Sequence, residues 1–147
     1  MVLFGMPLLQ GVSAVGIGDY NGGLNYLIDF QSGLERTFSY FMVSNAPSVM
    51  DYEIAAEGNF AQYFSFSESI FKGVLPGQTR RFSATLSLPE EKLPPGLHET
   101  HVCVAESQSY GEGGFTVRTK ACSIITVRVL YPEKYLKIDE FSVADAD

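Results

Sequence analysis

Between a Pro-Gly turn and a closing proline, one run of eight residues alternates strictly. Phe82, Ala84, Leu86 and Leu88 hold one parity; Arg81, Ser83, Thr85 and Ser87 hold the other. A period of two places the first set on one side of a strand and the second on the opposite side. The same period recurs along the chain, and no helical period is sustained. Residues 23–30 set Leu24, Tyr26 and Ile28 on one face, and residues 36–43 do the same with Phe38, Tyr40 and Met42. Tyr52, Ile54 and Ala56 alternate against Asp51, Glu53 and Glu57, and residues 63–66, 98–105 and 116–129 add further strands.

Turn residues punctuate these runs: Gln31-Ser32-Gly33, Asn45-Ala46-Pro47-Ser48, Gly58-Asn59, Leu75-Pro76-Gly77-Gln78 and Pro94-Pro95-Gly96. Proline cannot donate to a ladder, so Pro89 closes the clearest strand. Short strands with turns every ~8–12 residues predict an all-β fold, a two-sheet antiparallel Greek-key sandwich of about seven strands. A length of 147 residues suits one domain, and a 46% apolar share supplies its core. The formal net charge of -7, with its few basic residues thinly spread, argues against nucleic acid and against an anionic membrane surface.

The N-terminal apolar stretch is broken by Gly5 and Pro7 and falls short of the ~20 residues of a spanning helix. With small side chains at Val12 and Ala14, residues 1–14 read as the remnant of a secretory signal peptide, which puts the mature start at Val15. Residues 15–131 then form the sandwich. Residues 132–147 read as a linker and the start of a further module, in which Leu136, Ile138 and Phe141 open a fresh alternation.

The sequence offers little catalytic or metal-binding chemistry. His98 and His101 lie three apart on a strand and point to opposite faces, His98 with Val102 and Val104 toward the core. Neither histidine sits where a Ser-His-Asp set could be assembled. Glu90-Glu91 and Glu53/Glu57 read as solvated surface, and the Gly-rich stretches at 16–18 and 111–114 do not join a strand to a helix. Asp19-Tyr20-Asn21 lacks the later carboxylate of a calcium loop and reads as a turn. The expectation is a non-enzymatic chain with no cofactor, no metal and no catalytic residue. Tyr20, Tyr26 and Tyr110 stand out as aromatics able to contact a ligand such as a sugar.

The two cysteines carry the sharpest expectation. If the last two strands form a hairpin whose opposed residue numbers sum to 225, Cys103 faces Cys122, Val102 faces Ser123 and Val104 faces Ala121. An even cysteine count in an exported chain favours a disulfide. Two alternatives stand beside it: a reduced apolar pair, and a zinc site of His101, Cys103 and Cys122 that lacks a fourth ligand.

The segments LPGQTRRFSATLSLP, LPPGLHETHVCVAE and GGFTVRTKACSIITVRV combine a PG turn before a T-x-T-type strand, a P-P-G turn before the penultimate strand and a final V-R-V-type strand. In this the chain resembles an immunoglobulin-like module of secreted archaeal and bacterial cell-surface proteins, over about residues 16–131. The stretch from Gly18 to Gly23 departs from the Ser-Pro with which the first strand of such modules often opens. The resemblance implies a non-enzymatic extracellular module for structure, adhesion or protein contact. Its partners would be other envelope or surface proteins, or further copies meeting through sheet edges. Any membrane contact would run through a segment outside this chain. Two other functions stay open: a pilus-chaperone-like or filament protein acting by strand addition, and a carbohydrate-binding sandwich.

Overall fold

A computed structural model of the chain describes residues 15–20, 23–107 and 118–130. The expected leader, the C-terminal linker and Tyr110 lie outside the described residues. Among the described residues nine strands follow in order: β1 (Val15–Asp19), β2 (Asn25–Asp29), β3 (Glu35–Ser44), β4 (Met50–Gly58), β5 (Phe64–Phe66), β6 (Ile70–Val74), β7 (Thr79–Ser87), β8 (Gly96–Glu106) and β9 (Lys120–Val129). One turn of 3-10 helix, Ala61–Tyr63, precedes β5. Strands β1-β3-β7-β5 form one sheet and β2-β9-β8-β4-β6 the other. The fold is the two-sheet sandwich that the alternation predicts, of the immunoglobulin-like kind that the resemblance implies.

The count exceeds seven because each edge segment changes sheets partway. β1 pairs antiparallel with β3, and the chain then crosses the sandwich so that β2 pairs parallel with β9. On the other side, β5 pairs with β7, and β6 goes over to β4. Among the described residues the β2–β9 pairing is the one departure from an antiparallel arrangement. A first strand ahead of residue 23 and the short strand β6 are therefore additions to the expected set.

Alternation places the core as expected. Phe38, Tyr40 and Met42 of β3 and Phe82, Ala84 and Leu86 of β7 face Tyr52, Ile54, Val102, Val104, Ile125 and Val127 of the opposing sheet, and all are buried. Two buried phenols cross between the sheets. Tyr40 shares a hydrogen bond of 2.9 Å with Ser123, and Tyr52 one of 2.7 Å with Ser44. A buried hydroxyl without such a partner would cost ~1–3 kcal/mol. Burial pushes the Tyr40 phenol up to about 12, against the opposing bond from Ser123, and raises Tyr52 for the same reason. At the turn into β7, Gly77 takes a φ of 81° behind Pro76, and the Gln78 amide donates to the Leu75 carbonyl at 3.0 Å. That is the positive φ a type II turn requires.

Truncating Phe82 to Ala should cost ~3–5 kcal/mol by urea unfolding, as other large-to-small core changes do. Thr85 lies on the outer face, half-buried, and its hydroxyl meets that of Thr37 at 3.0 Å. Thr85→Ala should cost at most ~1 kcal/mol, the scale of a cross-strand threonine pair; equal costs at the two positions would reverse the face assignment.

The phenols give a pH dependence with a definite sign. An unfolded tyrosine loses its proton near 10, whereas folded Tyr40 holds it to about 12. Between those values the folded state binds more protons, so stability should be intact below pH 10 and fall as pH rises through the window. Unfolding free energies measured across it should fall less steeply for Tyr40→Phe than for the parent chain.

Candidate functional site

The β8–β9 register runs from Gly96↔Val129 to Ala105↔Lys120, so every opposed pair sums to 225. Cys103 and Cys122 are directly opposed, with Cα atoms 4.1 Å apart, and are joined by a disulfide. Their parity is opposite to that of Val102 and Val104, which places the bridge on the outer face of the five-stranded sheet. Cys103 is nevertheless buried. Around it Glu53, Ala55, Glu57, Ala105, Arg118 and Lys120 line a shallow depression of about 400 Å³. Its charges are matched: Arg118 pairs with Glu53 and Lys120 with Glu57, each at 2.9 Å. Further along the same face Arg128 meets Asp29 at 2.6 Å, and that hydrogen bond holds the Asp29 carboxyl below the usual carboxylate range.

The chain enters and leaves the sandwich at opposite poles. Val15 pairs with Ser44, the last residue of β3, at the pole where β4 begins and β8 ends. Val129 pairs with Gly96, the first residue of β8, at the other pole. The exit pole is apolar. Phe30, Leu93, Pro95, Val129 and Leu130, with Lys92, line a groove of about 440 Å³ there. Leu97 beside it is 67% exposed and Leu130 is 53% exposed. Leu97 shares the parity of Glu99 and His101, so an apolar residue on the wet side of a strand was the sequence signal for this surface.

The candidate aromatics do not form one row. Tyr20 stands on the outer face of the four-stranded sheet. Tyr26 faces inward at the sandwich edge, its ring 4.8 Å from Phe38 and its hydroxyl bonded to Asp19. Tyr26 is thus half-buried rather than an exposed platform, because the parity of Ile28 takes it inside. Arg36 covers the same two rings, 5.7 Å from Tyr26 and 5.3 Å from Phe38. His98 stacks on Phe60 at 4.6 Å and bonds the Pro94 carbonyl at 2.7 Å, whereas His101 points outward to Glu99.

No known protein family matches the chain, and no curated protein matches it in sequence. Solved structures do share its fold. A chain of the Salmonella enterica SafA pilin–SafB chaperone complex aligns at 10% identity and a TM-score of 0.52, over 80% of this chain and 55% of that one. The PapD-like domain 7 of human CEP192 aligns at 8% identity and 0.52, over 80% and 86%. A family 123 glycoside hydrolase from Clostridium perfringens aligns at 9% identity and 0.53, over 78% and 26%. The chain spans about half of the chaperone-complex chain and about a quarter of the hydrolase. These likenesses support the immunoglobulin-like, PapD-like sandwich.

The intact mass of natively isolated protein should rise on reduction and alkylation by two blocked thiols. Opening the bridge should cost ~3 kcal/mol in the chain-entropy model for a loop of about 20 residues. Free thiols on fresh, unreduced protein would reject the bridge, and stoichiometric zinc would point to the metal alternative.

Proposed function

We propose that this chain is a non-enzymatic extracellular module that makes protein contacts at the cell envelope through its apolar exit pole. The observation that carries this is the exposure of Leu97 and Leu130 beside the groove of Phe30, Leu93 and Pro95. Contiguous exposed apolar surface of this kind is costly in water and marks interaction sites. Its position where the chain leaves the sandwich suits contact with whatever follows or abuts that end. Opposite entry and exit poles suit a module set in line with others, and a cross-strand disulfide suits an oxidising compartment. Residues 15–131 would be the module, and residues 1–14 its leader.

A second mode is supported by the likeness to a chaperone–pilin complex. β2 covers β9 only from Ile124 to Arg128, so among the described residues Lys120–Ser123 have no β2 partner. An incoming strand could extend the sheet there. The opposite edge is blunted, with Lys72, a left-handed Gly73 (φ 65°) and a register shift between Met50 and Tyr52.

Labelled protein should bind isolated envelopes of its source organism saturably, and the double change Leu97→Lys, Leu130→Lys should weaken that binding about tenfold or more with melting unchanged. Protease treatment of the envelopes should remove the binding. Unaltered binding by the double variant would reject the exit pole as the contact, and new amide protection at Lys120–Ser123 in the complex would favour strand addition.

A further inference from the structure

We propose that the outer face of the four-stranded sheet binds an acidic saccharide, a sugar unit bearing a carboxylate, in the depression beside Tyr20 and Arg81. This goes beyond the protein-contact function and does not depend on it. The face is built from two adjacent rows. One runs Gly18–Phe41–Arg81 across β1, β3 and β7. The other runs Tyr20–Ser39–Ser83, the Tyr20 amide donating to the Ser39 carbonyl at 3.3 Å, and continues to Ser67, whose amide donates to the Ser83 carbonyl at 3.0 Å.

Gly18 lets the Phe41 ring lie directly over the backbone, since a Cβ at position 18 would collide with it. Phe41 in turn supports Tyr20, a residue 51% exposed whose ring is 5.2 Å away. The Arg81 guanidinium sits 5.3 Å from the Tyr20 ring centroid. Tyr20, Arg81, Ser39, Ser67 and Ser83, with Tyr40 and Phe82, line an open depression of about 460 Å³. That lies within the ~300–1,000 Å³ of small-molecule sites.

The charge pattern selects the ligand. On the other sheet's outer face Arg118, Lys120 and Arg128 each have a carboxylate. Arg81 has no ion pair among the described residues, and no carboxylate lines its depression, although the chain carries a net charge of -7. A guanidinium is a rigid fork that matches a carboxylate with two parallel bonds. The Tyr20 ring lies under the guanidinium and, backed by Phe41, holds that fork at the rim of the depression. The serine row supplies hydroxyl partners, and the Ser67 oxygen already accepts from the Ser83 amide at 2.9 Å, leaving its proton to donate. A neutral sugar would leave the guanidinium unmatched, and an acidic peptide would leave the serine row unused.

The test is calorimetric titration of the 147-residue chain with a hexuronate oligosaccharide, its carboxyl-reduced counterpart, sialyllactose, lactose and a poly-glutamate peptide. One or both carboxylated sugars should bind, and the pattern between them identifies the source of the acid. Removing the carboxylate should weaken binding about 10- to 100-fold, the range of a charged hydrogen-bonded contact. Arg81→Ala and Arg81→Gln should do the same. Tyr20→Ala should lose binding and Tyr20→Phe keep it, with all variants folded by circular dichroism. Arg118→Ala should bind as the parent does. Leu97→Lys with Leu130→Lys should also retain the sugar, which separates this face from the exit pole. Equal affinity for acidic and neutral sugars, wild-type binding by both Arg81 variants, no binding by any sugar, or preference for the peptide would each overturn the proposal.

Discussion

The buried hydroxyl of Tyr40 ties the two sheets to the chain's first crossing between them. It has no access to water, so it must find a partner inside the sandwich, and Ser123 of β9 supplies it at 2.9 Å. Ser123 also donates to the Leu24 carbonyl at 2.7 Å. Leu24 belongs to the segment that has just left β1 and is about to become β2, and its carbonyl also receives the Ile124 amide at 2.9 Å. A phenol in one sheet, a serine in the other and the crossing backbone are thus satisfied together. Replacing Tyr40 by a purely apolar ring would keep most of the packing but leave Ser123 to hold the crossing alone.

The outer surfaces differ in character because their strands use the wet parity differently. On the five-stranded sheet that parity carries acids on β4 and bases at the start of β9 that reach one another across β8, and they neutralise one another around the disulfide. Exposed pairs of this sort add little stability, typically ~0.2–1 kcal/mol each. Their effect is to neutralise the charges around the disulfide. On the four-stranded sheet the wet parity carries serines and threonines, with a guanidinium and two aromatic rings gathered at one edge.

Much of this was legible in the sequence, and the exceptions have physical causes. The inward residues of β3, β4, β7, β8 and β9 follow from alternation because those strands are long and buried on one side. The register that opposes Cys103 and Cys122 was accessible from a single hairpin assumption. The sheet crossings were not, since parity continues unbroken when a strand passes from one sheet to the other. β1 was obscured by Gly16 and Gly18, which carry no side chain to reveal a face. β6 was obscured by Lys72 and Gly73 in a run of five residues. Tyr20 was visible as a candidate, but its association with Phe41 and Arg81 depends on the β1–β3–β7 order, which no local pattern encodes. Tyr26 shares the parity of Leu24 and Ile28, but its contact with Phe38 of the other sheet likewise depends on the sheet order.

The parallel pairing of β2 with β9 gives the sandwich a mechanical axis. Tension applied through Val15 and Val129 pulls the first strands toward one pole and the last strand toward the other. β2 and β9 then slide past each other lengthwise, and their ladder is loaded in shear, all bonds together, instead of being unzipped one by one. The ladder's ends are fastened by the Ile124 amide on the Leu24 carbonyl and the Phe30 amide on the Arg128 carbonyl, both at 2.9 Å. Behind it, the covalent link between β8 and β9 stops the loaded strand from peeling away from its other neighbour. The sandwich would therefore resist extension along the line through Val15 and Val129 more strongly than force applied across its edges.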